Sequence, residues 1–436
     1  MNSAAFEHTI GIETYFTQEP GCGGKLRTVP EDFTVQETFH YPSRDDTGIF
    51  TIAEISCRNW ETNTLIREIS KKLRISRNRI SFAGTKDKRS VNTRLMSFAS
   101  VSPESLQKLK IKDVEIKNIF KSKRPVKLGD LYGNYFTITI RNISNSYPES
   151  SLKKNLDVLT SSGGFPNFFG IQRFGAIRPI NHLIGKYIVS GDFEQAVMTY
   201  LTAPCPEEDP MIAELRSNLK KTYDFTTALH QFPNHLNFEK AILNNLVVNP
   251  SDFLSALQQL PKNLLLMFIN AYQSYLFNKM LSERMHRKLP LHQACIGDII
   301  LPFRNNVVSD EYITVSSSNS AKINEQVQKQ KAFVSCILVG FKPVFSSGEM
   351  GEIEHEVFKQ EKIDVRDFVI PDIPFLSSRG SRRSILAPLR NLTYHIESDT
   401  YHEGKKAVML SFSLLKGCYA TSFLREIMKS ENSRDY

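Results

Sequence analysis

No two of the six cysteines (Cys22, Cys57, Cys205, Cys295, Cys336 and Cys418) stand at CxxC spacing. Neither a zinc site nor a disulfide framework is therefore to be expected. The histidines form no HExxH or other paired-ligand pattern, so no metal is called for. A Gly-rich phosphate loop is also missing, which removes the usual nucleotide-binding signatures. The longest apolar run, Leu264 to Ile269, is far short of the roughly 20 residues a membrane helix needs. The first residues lack a charged segment followed by an apolar one, so the expected location is the cytoplasm. There is no internal repeat.

What the chain has in excess is positive charge, unevenly spread. Its 436 residues carry 55 Lys plus Arg against 46 Asp plus Glu, a net +9. Arg58 to Arg94 holds eleven bases and three acids, and Lys108 to Lys127 eight bases and two acids. Ser347 to Asp367 reverses the sign with seven acids and three bases. A polarised basic surface suits a polyanion, because neutralised phosphates supply most nonspecific affinity. The length fits two to three domains.

Alternation predicts a strand from Phe33 to Phe39, with Phe33, Val35, Glu37 and Phe39 on one face. Glu37 interrupts that apolar row, so it needs a partner; an arginine salt bridge is the structural expectation. Further strands are predicted from Ile49 to Cys57, Ile80 to Gly84, Val91 to Ala99 and Tyr135 to Arg141. Leu65, Ile69 and Leu73 mark a helix capped by Asn63 or Thr64. Leu152, Leu156 and Leu159 mark another from Glu149 to about Ser161, ending at Gly163-Gly164. From about Asn181 prolines including Pro204, Pro206 and Pro210 punctuate helical pieces. A long helix follows from Leu264 to Met285, then strands from Ile299 to Ile313 and from Phe333 to Phe341. Strands at Leu392 to Glu397 and Ala407 to Leu414, and a helix carrying Phe423, Leu424, Ile427 and Met428, close the chain.

Two stretches carry chemistry. Ser81-Phe-Ala-Gly-Thr-Lys86-Asp87-Lys88-Arg89-Ser90 sets one carboxylate between lysines after a Gly-containing turn. Nearby cations favour the charged form of an acid, so Asp87 suits an anion or nucleophile; the bland alternative is a solvated surface turn. Asn167-Phe168-Phe169-Gly170-Ile171-Gln172-Arg173-Phe174-Gly175 has neither helical nor strand period. Its aromatics can pack a core or stack on unpaired bases, with the amides and Arg173 reading base edges or phosphate.

The chain resembles the TruD family of tRNA pseudouridine synthases through most of its length. Six motifs appear in order: Pro30-Glu-Asp-Phe-Thr-Val-Gln-Glu37, Ser81 to Lys88, Gly133-Asn-Tyr-Phe136, Asn167 to Gly175, Ser274-Tyr-Leu-Phe-Asn278 with Glu283-Arg284, and Gly417 to Glu426. The resemblance implies that Asp87 is the catalytic aspartate and that Asn167 and Phe169 hold the target uracil. Arg27 stands where the family often has a lysine, and would contact Asp87 or a phosphate. Lys86, Arg173 and Glu37 complete the expected substrate-binding set. After Arg89 the family typically reads Ala-Val-Thr-x-Gln, whereas this chain reads Ser90-Val91-Asn92-Thr93-Arg94. If those positions touch RNA, recognition differs here.

The fold implied is α+β: a pseudouridine-synthase-like catalytic domain with a mixed or antiparallel sheet, residues 1–185 plus 386–436, interrupted by an inserted α/β domain, 186–385. The activity implied is conversion of a tRNA uridine, at position 13 of the D arm, to pseudouridine without cofactor, metal, membrane or obligate protein partner. The competing reading is a noncatalytic RNA-binding or RNA-folding protein using the same basic face.

Overall fold

The computed structural model describes residues 3–175, 178–205, 208–430 and 432; Pro206 lies outside them. The chain divides into two compact units. One comprises Phe16–Phe165, Asn305–Val307 and Ala387–Tyr436, the other Met1–Tyr15, Pro166–Arg304 and Val308–Leu386. The second seam thus falls one residue from the expected 385/386. The division expected after residue 185 falls instead at Phe165/Pro166, where the Asn167–Phe169 loop bonds to Asn278, Ser384 and Ile385, and Met1–Tyr15, expected with the catalytic domain, belongs to the other unit.

The unit containing Asp87 is built on an eight-stranded sheet. Strands β1 (Phe33–Phe39), β2 (Phe50–Arg58), β3 (Ile80–Phe82), β4 (Val91–Ala99), β5 (Val114–Ser122) and β6 (Leu131–Ser144) join Arg390–Ser398 and Lys405–Leu415. From edge to edge the order is Arg390–Ser398, Lys405–Leu415, β6, β1, β4, β2 and β5, with β3 paired to β4 off this path. The β1–β4 pair is parallel, with Val35 opposite Asn92, and the other pairings are antiparallel. The sheet is therefore mixed.

Alternation explains its core. Phe33 and Val35 of β1 and Phe136, Ile138 and Ile140 of β6 turn inward, where Leu152, Leu156 and Leu159 of the Glu149–Ser161 helix meet Phe423, Leu424 and Ile427 of the Ala420–Met428 helix. Each such fully buried side chain is worth about 1.5–3 kcal/mol over leaving it in water. Gly133 is required by this pairing: a Cβ there would lie 2.1 Å from the Leu414 carbonyl oxygen. A second cluster joins Leu65, Ile66 and Ile69 to Ala53, Ile55, Met96 and Phe98. The helix supplying those residues, Thr62–Leu73, is capped by Glu61, not by Asn63 or Thr64. The Glu61 carboxylate accepts from the Asn63 and Thr64 amides at 2.8 and 2.7 Å, satisfying two of the four orphan donors of a helix start.

In the other unit the Lys262–His286 helix is buried on most of its faces, including Phe268, Tyr272, Leu276, Phe277, Asn278 and Leu281. Strands Ile299–Arg304, Ala332–Leu338 and Ser381–Ser384 lie in an antiparallel sheet. The strand expected to run from Ile299 to Ile313 is broken at Asn305-Asn306. Both asparagines take left-handed φ values, 53° and 61°, which make a tight hairpin turn back to Val307–Val308. Among the described residues no helix is long and apolar enough to cross a membrane.

Candidate active site

The β3–β4 hairpin presents Asp87 at the tip of its connecting loop, because β3 and β4 pair from Phe82 opposite Met96 outward to Ile80 opposite Phe98. The Asp87 side chain is 48% exposed. Its Oδ2 accepts a hydrogen bond from Arg27 Nη2 at 2.9 Å, and its Oδ1 accepts none among the described residues. Arg27 is held from several sides. Its guanidinium carbon lies 4.1 Å from the centre of the Phe33 ring, and its carbonyl accepts from Arg89 Nη2 at 2.8 Å. Its backbone is left-handed, φ 56°, a conformation that costs a non-glycine residue of order 1 kcal/mol. Burial pulls the Arg27 pKa down, and the nearby Asp87 charge opposes that.

The segment bearing Arg27 is fixed by the Pro30-Glu-Asp-Phe motif. Asp32, buried, accepts from the Val29 amide at 3.0 Å and from Arg141 Nε at 2.8 Å. Arg141 in turn reaches Asp399 at 3.2 Å. The motif's acid is thus an anchor for the approach to β1.

Lys86 does not turn toward Asp87. Its ammonium pairs with Glu37 Oε1, with side chains 8% and 0% exposed. The expected arginine partner of Glu37 is therefore a lysine, brought over β1 by the loop that follows β3. Glu37 Oε2 also accepts from the Leu95 amide at 3.1 Å. Burial lowers the Lys86 pKa, and Glu37 is the largest influence in the other direction.

The other unit holds the remaining expected residues together. Asn167, 1% exposed, donates from Nδ2 to the Ser384 carbonyl and hydroxyl at 2.9 and 3.1 Å and accepts at Oδ1 from Arg383 Nη2 at 2.6 Å. The Phe169 ring meets Phe277 edge-on at 5.5 Å. The guanidinium carbons of Arg383 and Arg173 lie 4.1 and 5.2 Å from its centre. Phe169 is 5% exposed. Asn278 clamps its backbone, accepting from the Phe169 amide at 2.9 Å and donating to its carbonyl at 3.0 Å.

Asn278 and Arg383 were not singled out for roles by the sequence reading. The sequence signal for Asn278 is its place in the Ser274–Asn278 motif, and for Arg383 the run Ser378-Arg-Gly-Ser-Arg-Arg383, with three arginines in six residues. Asn92 and Arg94, expected at the RNA if their positions touch it, are instead wholly buried beneath the Asp87 loop. The closing motif is structural as well: Glu426, buried, accepts from the amides of Phe16 and Thr17 at 2.8 and 3.0 Å. Among the described residues no three His, Cys, Asp or Glu side chains group in a way that could hold a metal ion.

Comparison with known proteins agrees with these motifs. The family model for tRNA pseudouridine synthase D (TruD) matches residues 9–427. A protein of Methanococcoides burtonii named as a probable tRNA pseudouridine synthase D is 42% identical over 432 residues, covering 98% of this chain and 97% of its own. A Thermococcus sibiricus protein of the same name is 36% identical over 424 residues, covering 95% and 97%. A crystal structure from Methanosarcina mazei that carries the TruD name superposes with a TM-score of 0.90 at 39% identity, covering the whole of both chains. With the motifs in order, the mixed sheet and relatives matched end to end, the chain belongs to the tRNA pseudouridine synthase D family.

Proposed function

We propose that this protein isomerises a uridine of tRNA to pseudouridine, that the target is uridine 13 in the D arm, and that Asp87 carries the reaction. The observation behind this reading is a half-exposed carboxylate anchored through one oxygen to Arg27, on the loop whose sequence matches the family. The conversion breaks the N1–C1′ bond, turns the base and forms a C5–C1′ bond, while C5 loses a proton and N1 gains one. Atoms and electrons balance within the nucleotide, so the chemistry calls for no cofactor and no metal.

Asp87 serves as the group that bonds to the nucleotide or takes a ribose proton; both roles use the oxygen that Arg27 leaves uncovered. A base must leave the RNA stack to be handled in this way. Phe169 then supplies an aromatic face for it and Asn167, with Arg173, the polar surround. The basic segments Arg58 to Arg94 and Lys108 to Lys127 suit the tRNA backbone. The reaction takes place in the cytoplasm and uses the single chain without an obligate partner protein.

The test is Asp87→Asn with purified protein and transcribed tRNA, followed by chemical mapping of pseudouridine. Wild type is expected to modify uridine 13 alone, and the variant to modify nothing while binding tRNA within a few-fold. A wild-type protein that binds tRNA and leaves every uridine unchanged refutes the reading in favour of a noncatalytic RNA-binding role. A variant that unfolds and loses tRNA marks Asp87 as structural.

A further inference from the structure

Beneath the Asp87 loop lies a guanidinium that the chemistry above does not use. Arg94 is 0% exposed, and among the described residues it pairs with no carboxylate. A buried cation normally demands one, because leaving water is expensive for an ion. Here the compensation comes from neutral groups. Arg94 Nη1 donates to Thr62 Oγ1 at 2.7 Å, Nε and Nη2 donate to Asn92 Oδ1, the former at 3.0 Å, and Nη2 also reaches Cys57 Sγ at 3.8 Å.

Two polar chains run outward from those bonds. Thr62 Oγ1 accepts from the Lys86 amide at 3.1 Å and donates to the Lys86 carbonyl at 3.3 Å. Asn92 Nδ2 donates to Ser90 Oγ at 3.2 Å, and Ser90 Oγ donates to the Asp87 carbonyl at 2.7 Å. Donor and acceptor roles are consistent along both. Thr62, Ser90 and Asn92 are all within 1% of full burial, so RNA reaches none of them in the folded protein. The peptide groups around the Asp87 Cα are thereby tied, on both sides, to one interior cation.

We propose that Arg94 is a positioning residue, which through Thr62 on one side and Asn92–Ser90 on the other sets the direction in which the Asp87 carboxylate points. This rests on the role given to Asp87 above. A geometric error of about 1 Å at a reacting group can lower a rate on the order of a hundredfold. The fork of Arg94 matters because one planar group addresses Thr62 and Asn92 together, which a lysine ammonium cannot do in the same geometry.

The experiment cuts each chain separately with Arg94 left in place. Thr62→Val, Ser90→Ala and the conservative Thr62→Ser are compared with wild type and with Arg94→Lys. Four quantities are measured: single-turnover rate on transcribed tRNA, tRNA affinity, melting temperature, and hydrogen exchange of the 84–90 peptide by mass spectrometry. Thr62→Val and Ser90→Ala are expected to slow turnover by about tenfold or more at unchanged affinity, with faster exchange confined to the loop. Thr62→Ser restores the rate, and Arg94→Lys, if it folds, loses more than either single cut. Wild-type turnover in Thr62→Val and Ser90→Ala overturns the proposal, as does a rate loss that follows only the fraction unfolded. Faster loop exchange without slower turnover overturns it too, while leaving the role of Asp87 standing. Wild-type protein without pseudouridine formation removes the function reading, and the proposal with it.

Discussion

Replacing Glu37 by Gln leaves a lysine ammonium buried without its counter-charge, and the consequence can be worked in energy. Lys86 and Glu37 are 8% and 0% exposed at the side chain. Removing one partner of such a pair typically costs about 3–5 kcal/mol, because the survivor keeps its desolvation penalty. The alternative open to Lys86 is to lose its proton. Neutralising a lysine costs about 1.4 kcal/mol for each pH unit below about 10.4, hence about 4.6 kcal/mol at pH 7 and about 1.2 kcal/mol at pH 9.5. The smaller of the two routes limits the loss, so Glu37→Gln is destabilised by about 3–4.6 kcal/mol at pH 7 and by no more than about 1.2 kcal/mol at pH 9.5.

The direction with pH follows from the proton count. Burial already lowers the folded-state pKa of Lys86, and the Glu37 carboxylate opposes that fall; without it the pKa drops further. Between that depressed value and the ordinary lysine value, the unfolded chain binds more protons than the folded one. Stability of the variant therefore rises with pH across this interval. At about 2–4 °C per kcal/mol for a folding unit of this size, the melting temperature falls by about 6–18 °C at pH 7, and the gap to wild type closes to about 5 °C or less at pH 9.5. Calorimetry of both proteins from pH 7 to 9.5 measures it. A gap below about 2 °C at pH 7, or one that widens as pH rises, refutes the account of Lys86 as a cation held buried by Glu37.

Phe169→Ala is expected to lower pseudouridine formation by about 5- to 150-fold, the range of about 1–3 kcal/mol for a base stacked on a ring, while whole-tRNA affinity changes less because backbone contacts dominate it; equal losses in both count against the stacking role. His182, 3% exposed and stacked on Tyr275, is held down to about 4 by burial, so below its ordinary value of about 6.5 the unfolded chain binds the extra proton. Stability is therefore lost as pH falls from about 6.5 to 4, by up to about 3.4 kcal/mol. Melting curves of His182→Gln over that range are expected to be flatter than those of wild type, and parallel curves would exclude the histidine as their cause.

What could be read from the sequence follows the range of the forces involved. β1 and the Glu149–Ser161 helix lie where alternation and the Leu152–Leu156–Leu159 spacing put them, since one buried face suffices to fix each, and β4 keeps its expected bounds although it is buried on both faces. The cap of the Thr62–Leu73 helix is Glu61 rather than Asn63 or Thr64, and its longer side chain makes it a less common cap than the residues after it. No local pattern could reveal that β1 runs parallel to β4, or that Phe169 is clamped by Asn278, 109 residues away. Arg94 was legible only as a charge. Its burial depends on Thr62, 32 positions earlier, and on Cys57 across β2.

Three cations around the Asp87 loop, Arg27, Lys86 and Arg94, are sorted by depth, and the sorting bears on reactivity. Were Lys86 to salt-bridge Asp87 directly while Arg27 held the other oxygen, both lone-pair faces of the carboxylate would be occupied and its nucleophilicity lowered. Glu37 prevents this by drawing the Lys86 ammonium inward, where the Leu95 amide holds the second carboxylate oxygen of Glu37. Arg94 lies deeper still and acts on the backbone through neutral groups rather than on the side chain. Among the described residues Arg27 is the one cation bonded to the Asp87 side chain, at one oxygen, and Phe33 beneath it limits where its guanidinium can move. A loop with three basic residues within three positions of its acid thus presents a carboxylate with one oxygen fixed and, among the described residues, the other without a hydrogen bond. Clustered charge serves such a site only when most of the cations are given other partners.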